Sequence, residues 1–212
     1  MALTVYKTLM KRGDGEFIIN KSRFIGHGAP AQTEEEALAF LSEMRKKYAD
    51  ASHNCYAYII GTNMGIMRYS DDGEPGGTAG MPIIEVMKNR GITNCVVVVT
   101  RYFGGILLGA GGLCRAYTQG AVTAIDESGV GVMHPSVRYL MDVPYPMLSR
   151  VEYFFKSAPV MIENKDFSDV ITFSYLVKQS DEEKLNADIT QMSEGRLEPM
   201  RFDEMYLPWS EQ

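Results

Sequence analysis

Residues 95–117, C-V-V-V-V-T-R-Y-F-G-G-I-L-L-G-A-G-G-L-C-R-A-Y, constrain this chain more than any other stretch. Val96, Val97, Val98 and Val99 form a β-branched run too short and too apolar for a solvent-facing helix, which predicts a strand buried on both faces. Polarity then changes abruptly. Thr100, Arg101 and Tyr102 stand where that strand should leave the core, and glycines follow at Gly104, Gly105, Gly109, Gly111 and Gly112. Gly111 and Gly112 open a segment, residues 113–125, whose apolar positions recur at helical spacing. The order is strand, glycine-rich loop, helix start.

Glycine lets the backbone take positive φ and approach a ligand with no Cβ in the way. A helix beginning just beyond such a loop points unpaired N–H groups and the positive end of its dipole at whatever fills it. An anion suits that place, with Arg101 on one side and Arg115 adding forked donors. The alternative is a tight turn whose glycines only let helix and strand pack closely; five glycines and two arginines exceed what a turn requires. Known fingerprints fit badly. There is no Gly-Lys-Ser/Thr of a Walker A loop, the last glycine of G-x-G-x-x-G is missing, and the nearest downstream acid, Asp126, ends the same helix.

The stretch 97–117 resembles the signature of the IMPACT/YigZ family, in which bacterial proteins share a domain with the eukaryotic translational regulator IMPACT. Two more stretches are similar to that family: S-H-N-C-Y-A-Y at 52–58 and S-D-D-G-E-P-G-G-T-A-G-M-P at 70–82. The resemblance covers nearly the whole chain. It implies an N-terminal domain over 1–134 related to a ribosomal-protein-like fold, and a second domain over 135–212 similar to the C-terminal domain of elongation factor G. It also implies that the loop after Ser70 and the loop after Arg101 contribute to one surface.

Composition fits one or two globular domains: 212 residues, 45% hydrophobic and 23% charged. No apolar run approaches the roughly 20 residues of a membrane span, and M-A-L-T-V-Y-K-T does not read as a signal peptide, so no membrane association is expected. Cys55, Cys95 and Cys114 are odd in number and lack a C-x-x-C, which predicts reduced thiols, a cytoplasmic setting and no structural zinc. The net charge of −6 is uneven: residues 1–137 hold 13 Lys+Arg and 13 Asp+Glu, whereas residues 138–212 hold 8 and 14. A whole-protein nucleic-acid clamp is thereby disfavoured, while a local basic patch on the first domain stays open.

Along the chain, residues 3–11 and 15–29 read as strands around a Gly13-Asp14-Gly15 turn, with Lys21 and Arg23 pointing the same way by period-two alternation. They read either as edge-strand charges or as part of a basic surface. Thr33 caps a helix with Glu34, Glu35 and Glu36 in its first turn, an apolar stripe at 37, 38, 40, 41 and 44, and Arg45, Lys46 and Lys47 at its end. A strand over 53–60 sets His53, Cys55 and Ala57 on one face and Asn54, Tyr56 and Tyr58 on the other. A His53–Cys55 nucleophile and base lack any third orienting group, so His53 reads instead as a structural or ligand-touching hydrogen-bond donor. Asp71, Asp72 and Glu74 have the chemistry for Mg²⁺; the favoured reading is that Asp71 or Asp72 caps the next helix and pairs with Arg101. Pro82 sits in the first turn of that helix, which ends at Gly91.

After Ser128-Gly129, residues 130–135 read as a linker, and strand, helix, strand, strand, helix, strand follow, the ferredoxin-like plait. The expected fold class is therefore α+β in two domains. The expected function is noncatalytic binding or regulation near RNA or a ribosome-associated protein. Arg101, Arg115, Lys21 and Arg23 would contact phosphate, and Tyr102 and Phe103 would stack. His53, Asn54, Asp71, Asp72 and Glu74 complete the expected ligand-binding set, with no cofactor, no resident metal and no catalytic residue. The second reading is a Mg-dependent protein acting on a phosphorylated small molecule or nucleotide.

Overall fold

The computed structural model describes residues 4–209. It divides into two compact units, residues 6–132 and residues 133 onward. The first contains β1 (Tyr6–Leu9), β2 (Gly13–Ile19), β3 (Ser22–Pro30), α1 (Glu34–Lys47), β4 (His53–Ile60), β5 (Ile66–Ser70), α2 (Gly80–Arg90), β6 (Cys95–Tyr102) and α3 (Gly109–Ser128). Strands β2 to β6 make one antiparallel sheet in the order β2-β3-β6-β4-β5. The valine run is its central strand. Val96 and Val98 pack with Phe40, Leu41 and Met44 of α1, while Val97 and Val99 pack with α2 and α3 on the other face. Each fully buried valine contributes about 1.5–3 kcal/mol, so this strand anchors all three layers.

Helix α1 follows from local chemistry. Thr33 accepts from the Glu36 N–H at 3.2 Å, acids fill the first turn and bases the last. Ala37, Phe40, Leu41 and Met44 are buried; Leu38 is exposed, because it lies about 100° around the helix from the face that meets the sheet. Helix α2 ends on Gly91 in the left-handed conformation.

The first hairpin differs from the expected one. Gly13, Asp14 and Gly15 lie inside β2, and the turn is Asn20-Lys21, both at positive φ (46° and 64°), the handedness that a two-residue hairpin loop needs. The glycines serve packing instead. Gly13 pairs with Gly28 and Gly15 with Gly26 across β2–β3, and α3 lies on that bare strip. A methyl at Gly26 would collide with the Gly120 carbonyl oxygen of α3. Lys21 therefore belongs to the turn, and alternation along a strand does not set its direction. Thr100 and Arg101, expected to emerge from the core, are both buried.

β7 (Val130–Val143) opens in the first unit and runs on as the first strand of the second, so residues 130–135 are strand rather than linker. The second unit continues with a 3-10 turn (Tyr145–Met147), α4 (Leu148–Phe155), β8 (Val160–Phe167), β9 (Ile171–Lys178), a second 3-10 turn (Gln179–Asp181), α5 (Glu182–Ser193) and β10 (Met200–Pro208). Its strands pair antiparallel in the order β10-β7-β9-β8, the plait expected from the element order, and β1 also pairs with β7. Val137, Met141, Val151, Phe155, Phe173, Tyr175 and Ile189 form its core. Trp209 donates its indole N–H to Ser136 Oγ at 2.9 Å. No helix among the described residues is long and apolar enough to cross a membrane.

Two outcomes follow from this packing. Gly26→Ala lowers the unfolding free energy by about 1–3 kcal/mol in urea titration, whereas Gly76→Ala, whose Cβ meets nothing within 4 Å, leaves it unchanged. His27, fully buried and bonded through Nδ1 to Asp14 at 2.7 Å, has its pKa lowered, because burial outweighs the Asp14 bond. The unfolded chain thus binds the proton first. Stability is full above the unfolded value of about 6.5 and falls as pH drops toward the lower folded value, a slope that His27→Gln removes in thermal melts from pH 7 to 5.

Candidate functional site

At the end of β6 the side chain of Arg101 turns toward the α2/α3 face and stays 95% buried, being only 5% exposed. Its Nη1 donates to Glu74 Oε1 at 2.7 Å and its Nη2 approaches Ser22 Oγ at 3.4 Å. The guanidinium lies 5.4 Å from the Phe24 ring centroid and 5.3 Å from that of Phe103. Glu74 Oε1 also accepts from the Tyr117 hydroxyl of α3 at 2.7 Å. Removing either ionic partner would leave an uncompensated buried charge, at a cost of about 3–5 kcal/mol.

The loop that carries Glu74 is held by Asp71. One carboxylate accepts from the N–H groups of Gly77, Ala79 and Gly80 at 2.8–3.0 Å. Burial alone would raise the Asp71 pKa; those three donors outweigh it and hold the carboxyl below its ordinary value. Asp71 is thus the cap of α2. Asp72 pairs with Arg45 and accepts from the Asn54 N–H at 2.7 Å, so the partner of Arg101 is Glu74 rather than an aspartate. All three carboxylates are engaged, and no group of three or more metal-ligating side chains forms among the described residues.

His53 sits opposite Arg101 in the β4–β6 register. Its Nδ1 lies 2.9 Å from the Asp72 carbonyl, which only accepts, so Nδ1 carries the proton. Nε2 is 3.9 Å from Glu74 Oε1. Cys55 donates its thiol to the Asp71 carbonyl at 3.0 Å, and burial pushes its pKa well up, which removes the thiolate a nucleophile requires.

Period-two geometry divides the remaining candidates. Asn54 and Thr100 face α1, where Thr100 Oγ1 donates to Asn54 Oδ1 at 2.7 Å. Tyr102 shares that face; its hydroxyl donates to Asp50 at 2.8 Å, and Arg23, ion-paired with Glu16, lies over its ring. Phe103 returns to the α2/α3 side and is 47% exposed. Gly104 is fitted against the backbone of Lys21 and Ser22, where a Cβ would clash, and its N–H donates to Ser22 Oγ at 3.1 Å. Gly105 and Gly109 take positive φ, and Gly111 and Gly112 lie in the first turn of α3, which starts four residues before the expected position and has no side-chain cap. Arg115 is exposed and makes no ion pair among the described residues.

The two loops meet around a cavity of about 450 Å³. Pro75, Phe103, Leu107, Leu108 and Leu113 give it apolar walls, His53, Glu74 and Arg101 a polar floor, and Gly109 and Ala110 bring the start of α3 to its edge. Sequence reasoning had no signal for Tyr117, which reads as one more apolar helix position, nor for Ser22 and Ser52. The cavity of the second unit beside Phe154, Asp181 and Lys184, about 260 Å³, has no buried polar side chain in its lining.

The Impact N-terminal domain model matches residues 20–125, which hold this whole arrangement. The chain is 36% identical over 208 residues to IMPACT family member YvyE of Bacillus subtilis, covering 95% of this chain and 93% of that protein. The chain belongs to the IMPACT family. A domain of unknown function, DUF1949, matches residues 141–196. IMPACT family member YigZ of Escherichia coli is 32% identical over 88% of this chain, and human Protein IMPACT 37% identical over 42% of it and 29% of its own length. A crystal structure described as that of a hypothetical protein has a TM-score of 0.62, 29% identity, and 95% and 98% coverage of the two chains. In this IMPACT-family chain Cys55 and Cys95 are buried and Cys114 is partly exposed. Iodoacetamide at pH 8 therefore alkylates Cys114 alone in the native protein, one adduct by intact mass, and all three cysteines only after unfolding.

Proposed function

We propose that this IMPACT-family chain is a noncatalytic binding protein that takes single-stranded RNA at the cavity end of its first unit and acts near the translation machinery. The observation that carries the reading is the meeting of a half-exposed Phe103 with the start of α3, which has no side-chain cap, beside Arg115, which has no ion pair among the described residues. An aromatic face holds a base, while backbone N–H groups at a helix start and a free guanidinium hold the adjoining phosphate. Lys21, in the turn at the same end of the sheet, adds a second cation without an ion pair among the described residues. Arg101 contributes differently from a phosphate ligand: its charge is matched by Glu74, and it backs the Phe103 ring. The likeness to eukaryotic IMPACT, a translational regulator, supports the cellular setting.

The Mg-dependent alternative has less support, since each carboxylate of the loop already serves a backbone or arginine partner. The test is binding of a labelled single-stranded RNA at low and physiological salt. Wild-type protein binds with a salt-sensitive affinity; Phe103→Ala weakens it about 5-fold or more, and Arg115→Ala lowers the salt slope by about one. Absence of binding at low salt overturns the reading.

A further inference from the structure

The floor of the cavity has a donor and acceptor pattern of its own. Glu74 is buried, and both hydrogen bonds that it accepts from side chains go to Oε1. Its Oε2 takes none among the described residues, in a residue that lines the cavity. His53, with its Nδ1 proton committed to the Asp72 carbonyl, offers Nε2 as a lone pair in its neutral form. The cavity thus ends in two neighbouring acceptors, one of them a carboxylate, under apolar walls. A ligand that fills it has to bring adjacent donors, because leaving a buried acceptor unpaired is costly.

Two chemical heads carry adjacent N–H donors of that kind: a guanidinium and the N1–H/N2–H₂ edge of guanine. Charge separates them. Arg101 already places a guanidinium against Glu74, and the start of α3 with Arg115 makes the edge electropositive, which opposes a second cation and favours a neutral head attached to an anion. Adenine and cytosine present an acceptor beside their amino group, and uracil has a single N–H between two carbonyls, so none of them matches two acceptors. From this we infer that the cavity is a guanine pocket, with the N1–H and N2–H₂ edge on Glu74 Oε2 and His53 Nε2, the base beside Phe103, and the phosphate toward Gly109 and Arg115. The inference deepens the RNA reading above and rests on it for the natural ligand, but the pocket chemistry is testable with free nucleotides.

Calorimetry on the full chain with GMP, IMP and AMP is the experiment. IMP lacks only the N2 amine. GMP binds about 10-fold or more tightly than AMP, IMP falls between them, and His53→Phe reduces GMP affinity. Glu74→Gln abolishes the preference for GMP over AMP; because it also alters the Arg101 pair, the nucleotide series on unaltered protein decides the matter alone. Equal binding of the three nucleotides, or no binding of GMP, overturns the pocket assignment. Binding of N-acetylarginine amide in place of GMP also overturns it and assigns the cavity to an arginine side chain of a protein. Labelled oligo-G and oligo-A RNA separate the two levels: RNA binding indifferent to base removes the guanine pocket and keeps the RNA reading, whereas GMP binding without RNA binding does the reverse.

Discussion

The buried ion pair between Arg101 and Glu74 is the interaction on which the site end of the first unit depends. It joins the central strand to a loop that Asp71 and Asp72 hold at its other end, and the Tyr117 hydroxyl draws α3 into the same carboxylate oxygen. Two charges removed from water gain only when their remaining hydrogen-bonding capacity is met. Here Ser22, two aromatic rings and Tyr117 surround the pair, with Arg101 Nε left without a partner among the described residues, so strand, loop and helix are positioned together rather than separately. The cavity is the space left between them.

That space exists because α3 lies close to the sheet. Paired glycines on β2 and β3 remove the side chains that would hold the helix away, and Gly120 meets Val99 from the helix side. The contact closes one end of the helix axis on the sheet and leaves the first turn, Gly109 and Ala110, bordering the cavity. Glycine content that reads locally as turns is therefore divided between packing at 13, 15, 26, 28 and 120 and loop geometry at 105 and 109.

Many cations of the first unit are already matched. Arg12, Arg23, Arg45, Arg68, Lys88, Arg90 and Arg101 each face a carboxylate, whereas Lys7, Lys11, Lys21, Lys46, Lys47 and Arg115 have no ion pair among the described residues. With as many Asp and Glu as Lys and Arg in residues 1–137, the net field there is close to neutral, which fits recognition by a shaped cavity and an aromatic face better than a broad basic groove.

The amino-acid sequence determined the elements and their order. The valine run, the Thr33 cap, Gly91 and the plait of the second unit were legible because β-branching, capping and period are properties of neighbouring residues. The three motifs that bear the family likeness were legible for the same reason. Tertiary structure decided the partners. Glu74 rather than Asp71 or Asp72 meets Arg101, Thr100 bonds Asn54, Tyr102 bonds Asp50, and Tyr117 joins the ion pair. These contacts link segments 27 to 52 residues apart, and which carboxylate reaches which cation depends on strand register and on how near α3 comes to the sheet. Distances of that kind are set by packing across the core, and no local pattern of residue types encodes them.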